Sequence, residues 1–290
     1  MLPAEIQKKV KYLDISTRRL VNNLFAGEYH TAFKGQGMTF AEFREYVPGD
    51  DVRAISWNLT ARAGKAFIKK FEEEREMTLM LALDVSGSGE FGSGPYLKGE
   101  TAAYIAAVLG FSAIRNNDRV GLLLFSDEIE KYVPPRKGRG HVQRILSDIL
   151  SYEPKSRGTK ISVALEYLLG ALKKRSTLFV VSDFQDQDFG IPLRQLGRRH
   201  DTVAVSVEDP IESQLPPLGL VEIEDAETGE MRTVDMSSPL VQKLLREEFG
   251  RRREKMDQEF RRAQVDRVRV VNGDKFLDPL IQFFQGRHRR

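Results

Sequence analysis

The chain has 290 residues, enough for one large domain or a domain with an appendage, and its 41% hydrophobic and 30% charged residues are ordinary for a globular protein. It has no cysteine, which excludes disulfides, zinc–thiolate sites and thiol chemistry, and no apolar run approaches the ~20 residues of a membrane span. A net charge of +3 singles out no class of partner, the N-terminal MLPAEIQKKVKYLD lacks the apolar stretch of a signal peptide, and the expectation is a cytoplasmic protein.

Ile6, Val10, Leu13, Thr17, Leu20 and Leu24 recur at steps of four and three, which predicts an amphipathic helix over 4–25 that docks on the domain and ends near Gly27. From Gly35 to Glu74 no catalytic spacing stands out, and Pro48-Gly49-Asp50-Asp51 marks a turn. Trp57, the only tryptophan, reads as a buried anchor. Residues 65–71 alternate apolar and basic side chains, as an edge strand leading towards a central one does.

Leu79 to Leu83 form an unbroken apolar run, expected as a central strand buried on both faces. A helix over 99–115 follows, then a buried strand over 120–125 with a short hairpin partner at 129–133. Helices at 140–151 and 160–173, strand 177–182, helix 191–198 and strand 202–207 continue the alternation. This pattern implies an α/β fold with a doubly wound, mainly parallel sheet flanked by helices. Three prolines make 208–219 a surface connection, 220–224 and 231–235 read as an inserted β-hairpin, and helix 239–263, strand 268–271 and a helix ending near Phe284 complete the chain. The expected division is an N-terminal helix and extension over 1–75, packed on a core of 76–290. Residues 203–235 are acidic with Arg232 as their only cation, whereas 243–290 are rich in Lys and Arg; solvated faces account for both.

The chemistry sits where the first central strand stops. Asp84, Ser86 and Ser88 form D-x-S-x-S in TLMLALDVSGSG, at the carboxyl end of a strand, where open α/β sheets hold ligands. Three oxygen side chains on one turn suit a hard cation such as Mg²⁺, with Mn²⁺ as a substitute. Two further oxygens fall where such a sheet would supply them, Thr159 in the RGT loop before a helix and Asp183 at the end of TLFVVSD.

These five residues resemble the metal-ion-dependent adhesion site of von Willebrand factor A domains. By that resemblance Ser86, Ser88 and Thr159 are hydroxyl ligands, Asp84 and Asp183 are charge-neutralising carboxylates, and one metal position stays open for a carboxylate of a partner protein. The stretch GQGMTFAEFREYVPGDDVRAISW over Gly35 to Trp57, with Ala61-Arg62, Ser182-Asp183-Phe184 and Glu208-Asp209-Pro210, is similar to the signature of the von Willebrand A-like domain-of-unknown-function family fifty-eight. Ser56 and Gly89 depart from it, standing where an acid and a methionine are expected. The resemblance implies a non-enzymatic interaction module whose partner is a MoxR-type AAA+ ATPase.

Other readings have less behind them. Gly87-x-Gly89-x-x-Gly92 fits a dinucleotide fingerprint, but Asp84 and Glu90 would flank the pyrophosphate and Pro95 delays the helix. Neither a P-loop nor a nucleophile elbow is present, and His30, His141, His200 and His288 have no sequence partner for catalysis. A metal-dependent phosphoester hydrolase using Asp84, Asp183 and Asp186 or Asp188 lacks a base. Nucleic-acid binding through Arg251-Arg252-Arg253 and Arg261-Arg262 is the remaining alternative.

Overall fold

The structure, a computed structural model, describes residues 4–21, 38–73, 76–213, 216, 218–224, 230–273 and 275–288. Six strands form its main sheet: β3 (Thr78–Asp84), β4 (Arg119–Phe125), β5 (Ile129–Arg136), β6 (Thr177–Ser182), β7 (Asp201–Glu208) and β10 (Asp266–Val271). Their order is β10-β7-β6-β3-β4-β5. All neighbours are parallel except β4 and β5, which pair antiparallel, and β5 is an edge because it stands last in the order. β3 lies between β4 and β6, so its apolar run has no side facing water: Leu79 to Leu83 are all buried. This is the doubly wound α/β sheet that strand and helix alternation predicted.

Side chains from one face of the sheet, including Met80, Ala82, Leu123, Phe125, Leu178 and Val180, form a core with helices α5 (Ile161–Ala171) and α6 (Gly190–Arg199) and the end of α8 (Pro239–Ala263). The other face carries α3 (Lys98–Arg115) and α4 (Arg139–Leu150) over the middle strands, and α9 (Asp278–His288) against β10. Because successive strand residues point to opposite faces, a strand covered on both sides is mostly apolar along its length.

Helix α1 (Ala4–Leu20) packs on α3 and α4. Val10, Leu13 and Thr17 of its predicted stripe are buried, and Asp14 receives both a guanidinium nitrogen of Arg139 at 2.6 Å and the Gln143 amide at 3.1 Å. Its expected end at Gly27 lies outside the described residues.

The chain divides into two compact units, residues 1–33 together with 78–290, and residues 34–77. The division differs from the expected break at 75, because α1 groups with the sheet rather than with the signature segment. In the smaller unit β1 (Met38–Glu45) pairs antiparallel with β2 (Phe67–Glu73). β2 is therefore half of a separate ribbon and not an edge of the central sheet, as 65–71 had suggested. The Pro48–Asp51 turn is held by Asp50, whose carboxylate accepts from Arg44 Nη2 at 2.6 Å and from the Val47 amide at 2.9 Å. Helix α2 (Trp57–Ala63) follows and ends at Gly64 with φ 69°, a left-handed cap. Trp57 opens α2 and is 70% exposed, which corrects its reading as a buried anchor: Ser56 and Ile68 are the buried side chains there.

The 208–219 connection includes one helical turn, α7 (Pro210–Ser213). The inserted hairpin is present as β8 (Leu220–Glu224) and β9 (Met231–Asp235).

Candidate metal centre at the strand ends

Asp84 ends β3, and the chain then turns through a 3₁₀ segment at Gly87–Glu90. The turn is tied down locally, since the Ser86 amide donates to Asp84 Oδ1 at 3.0 Å and the Ser86 and Ser88 hydroxyl oxygens lie 3.2 Å apart. Gly89 rests on Gly99 at the start of α3, where a Cβ on Gly99 would lie 3.2 Å from the Gly89 carbonyl; two glycines permit this close backbone approach. Ser86 is buried, and Asp84 and Ser88 are half-buried.

The other carboxylate arrives from β6. Its last residue, Ser182, donates its hydroxyl to Asp84 Oδ2 at 2.6 Å and accepts the Phe184 amide at 3.0 Å. Phe184 has φ 56°, a conformation costly for a bulky side chain, on the order of 1 kcal/mol. It is held there by packing on Phe189 and Phe260 with ring centroids 5.6 and 5.0 Å away. The left-handed residue turns the chain sharply just after Asp183. Burial raises the Asp84 pKa to about 6; the negative charge of Asp183 adds to the rise, and the Ser182 and Ser86 hydrogen bonds oppose it.

Asp183 is committed elsewhere as well. Its Oδ1 accepts the Gln185 amide at 3.1 Å, and its Oδ2 accepts Lys98 Nζ at 3.2 Å. Lys98 also bonds to the Glu212 carboxylate on α7. Burial alone would lower the Lys98 pKa, but the charges of Asp183 and Glu212 outweigh it and the net shift is upward. Lys98, Ser182 and Glu212 were not among the expected site residues. The one signal for Lys98 is a cation in the first turn of a helix, where the macrodipole disfavours it.

Thr159 lies half-buried in the loop between α4 and α5. The loop meets the serine turn through Gly87 N donating to Arg157 O at 2.9 Å, and its end is fixed by Ile161 N donating to Asp186 Oδ2 at 2.7 Å. Thr159 itself makes no hydrogen bond to the other four residues among those described. Behind the loop, buried Glu130 accepts from Ser126 Oγ at 2.7 Å, Tyr152 Oη at 2.9 Å and the Lys155 amide at 3.1 Å. Burial acts to raise the Glu130 pKa, but these bonds outweigh it and the net shift is downward.

The structure thus joins Asp84, Ser86 and Ser88 in one cluster, sets Asp183 beside it in contact with Lys98, and brings Thr159 in only through its loop. The serine oxygens fit neighbouring corners of a Mg²⁺ octahedron, whose edge is about 3.0 Å at metal–oxygen bonds of ~2.1 Å. Among the described residues no group of three or more His, Cys, Asp or Glu is placed to hold a metal, so a cation here would depend on hydroxyl and water oxygens. Asp186 accepts the first amide of α5, which leaves Asp188 as the other carboxylate of the hydrolase reading.

An open groove of about 1040 Å³ begins at Asp183 and Glu212 and runs along α8 past Arg246 and Arg253. Arg251 and Arg252 on α8 pair with Glu248, and Arg262 pairs with Glu259, so much of this basic face is internally compensated. His141 Nε2 lies 2.9 Å from the Val120 carbonyl oxygen and His200 is buried; His30 lies outside the described residues. No helix among the described residues is long and apolar enough to cross a membrane.

The family described as "Protein of unknown function DUF58" matches residues 42–259. The uncharacterized protein Rv1480 of Mycobacterium tuberculosis is 29% identical over 245 residues, covering 83% of this chain and 76% of that protein. In fold, the chain is similar to an aerotolerance-related membrane protein from Bacteroides fragilis, with a TM-score of 0.51, 16% identity, and coverage of 73% of this chain and 98% of that chain. A BatB protein from Bacteroides thetaiotaomicron is also similar, with a TM-score of 0.49, 16% identity, and coverage of 74% of this chain and 100% of that one.

Proposed function

This chain belongs to the DUF58 family, whose function is unknown, and on that premise we propose that it is a non-enzymatic, metal-dependent protein-interaction module. The von Willebrand factor A-like fold supports the interaction role. The observation that carries the metal is the serine pair 3.2 Å apart beside an Asp84 carboxylate oriented by Ser182 and by the Ser86 amide. Ser86, Ser88 and Thr159 would hold Mg²⁺ or Mn²⁺ through hydroxyls, with Asp84 and Asp183 supplying negative charge. The cation would supply an electrophilic position for an Asp or Glu of the partner, a charge-assisted contact stronger than its hydration alone.

The chain's own residues do the orienting. Ser182 fixes one oxygen of Asp84, the Ser86 amide fixes the other, and Glu130 and Asp186 hold the two ends of the Thr159 loop. Such second-layer contacts tune a cation site by locking its ligands in place. The partner in this reading is a MoxR-type AAA+ ATPase in the cytoplasm, an assignment that rests on the family resemblance.

Calorimetric titration of Mg²⁺ into the wild type and into Asp84→Ala tests the metal. Heat of binding in the wild type and its loss in the variant is the expected result; equal heats from the two proteins would sink the metal site. Capture of the purified MoxR-type ATPase of the same organism in Mg²⁺ but not in EDTA tests the partner, and capture indifferent to EDTA counts against a metal bridge.

A further inference from the structure

Lys98 occupies a position that neither the fold nor the proposed ligand set requires. It is the first residue of α3, and its side chain is 5% exposed. A buried ammonium is costly unless paired, and this one also opposes the helix macrodipole. Its environment offsets both costs: Asp183 Oδ2 lies 3.2 Å from Nζ, the Glu212 carboxylate bonds it directly, and the Phe91 ring centroid is 5.7 Å away.

The pairing offsets much of the charge of one carboxylate of the cation site. Asp183 gives one oxygen to the Gln185 amide and the other to the Lys98 ammonium, so a metal ion that draws on Asp183 shares its negative charge with a full positive charge, whereas the bonds to Asp84 come from a neutral amide and a neutral hydroxyl. The second anchor of Lys98 is not sealed away. Glu212 lines the groove, where it also accepts from Gln185 Nε2 at 3.3 Å and from the Asp209 amide at 2.9 Å.

We propose that Lys98 is a built-in counter-ion that competes with the divalent cation for Asp183 and so sets the affinity of the site, with Glu212 dividing the ammonium's attraction. This inference rests on the metal-dependent reading above and adds a regulator to it. Lys98 neutralises Asp183 and leaves Asp84 as the uncompensated charge beside the hydroxyls of Ser86, Ser88 and Thr159. It also repels a dication at short range. Both effects keep the site weak, and a partner carboxylate then contributes a correspondingly larger share of the binding.

Two substitutions move the affinity in opposite directions, which general damage to the fold does not do. Lys98→Met frees Asp183 and removes the repulsion, so Mn²⁺ titrated calorimetrically binds about tenfold tighter or more than to the wild type. Glu212→Gln leaves Lys98 to Asp183 alone and removes a nearby negative charge, so Mn²⁺ binds several-fold weaker. Lys243→Met removes the same charge from an exposed side chain paired with Glu247 at 3.8 Å on α8 and leaves the affinity as it was. In thermal melts Lys98→Met without metal is destabilised because buried Asp183 has lost its ammonium, and Mn²⁺ restores more stability to it than to the wild type.

Wild-type binding with equal or weaker binding by Lys98→Met overturns the role of Lys98 and leaves the metal site standing. Absence of Mn²⁺ binding in the wild type and both site variants removes the metal reading and this inference together. If Lys98→Met does not fold, Glu212→Gln decides: unchanged or tighter binding overturns the proposal.

Discussion

The Ser182 hydroxyl donates to Asp84 Oδ2 at 2.6 Å, joining the last residue of one central strand to the last residue of its neighbour. The same oxygen accepts the Phe184 amide, so one hydroxyl both orients the Asp84 carboxylate and steadies a left-handed turn. Ser182→Ala leaves Phe184 N without its acceptor and Asp84 with one bond fewer. We expect a loss of about 1–3 kcal/mol in denaturant unfolding and weaker divalent-cation binding. A variant as stable as the wild type would show that the turn is held by Phe184 packing alone.

Glu130 is the fastening of the Thr159 loop. Glu130→Ala would strand the Lys155 amide, leave the Ser126 hydroxyl only Asp127 Oδ1 at 3.4 Å as acceptor, and leave the Tyr152 hydroxyl only the carbonyl of residue 130 at 3.0 Å. The expected cost is on the order of 3 kcal/mol, with amide exchange accelerating over residues 152–160. Unchanged exchange in that loop would mean that the Gly87 to Arg157 contact is enough to order it.

Helix α1 is attached through a charged contact. Asp14 is buried and Arg139 half exposed, so Asp14→Asn keeps the shape and weakens the bond to the guanidinium. A loss of roughly 1–2 kcal/mol in unfolding and faster proteolysis within residues 4–20 are expected. Resistance equal to the wild type would assign the docking to Val10 and Leu13.

His200 makes folding sensitive to acid. It is 1% exposed, its Nδ1 accepts the Ser176 amide at 3.3 Å, and its buried Nε2 has no partner among the described residues. Burial first, then the charges of Arg199 and Arg175, lower its pKa from 6.5 to about 4. The unfolded chain therefore takes up a proton on this group between about pH 6.5 and 4 that the folded chain refuses, so stability falls as pH drops through that window and is full above it. The contribution is roughly 3 kcal/mol. His200→Gln should flatten the pH dependence of unfolding between pH 4 and 6.5, and parallel curves for the two proteins would remove His200 as the cause.

Trp57 gives a direct optical check. At 70% exposure the only tryptophan should emit like a solvated indole and be quenched efficiently by acrylamide. Blue-shifted, protected emission would restore the buried anchor that its sequence position suggested.

Much of the fold was legible in the sequence because a strand covered on both faces is apolar along nearly its whole length. Leu79 to Leu83 and Thr177 to Ser182 could be little else, and the end of each run located Asp84 and Asp183. The 3.6-residue stripe of Val10, Leu13 and Thr17 likewise foretold which face of α1 is buried. Local rules failed where the partner was distant in sequence. Residues 65–71 carry the alternation of a strand, but alternation does not say which strand they pair with, and they joined 38–45. Trp57 is large and apolar, yet its place at the first turn of α2 turns it outward.

The candidate site divides along the same line. The sequence by itself determined the candidate cluster, because D-x-S-x-S places three oxygen-bearing side chains within five residues and chain connectivity keeps them together. Only the tertiary structure decided what surrounds them: Ser182 on Asp84 across 98 residues, Lys98 on Asp183 across 85, and Glu212 on Lys98 across 114. Parallel strands bring their carboxyl ends to one edge whatever the spacing between them, and at that buried edge each charge must find a partner. Short-range sequence pattern carries no record of which partner it will be.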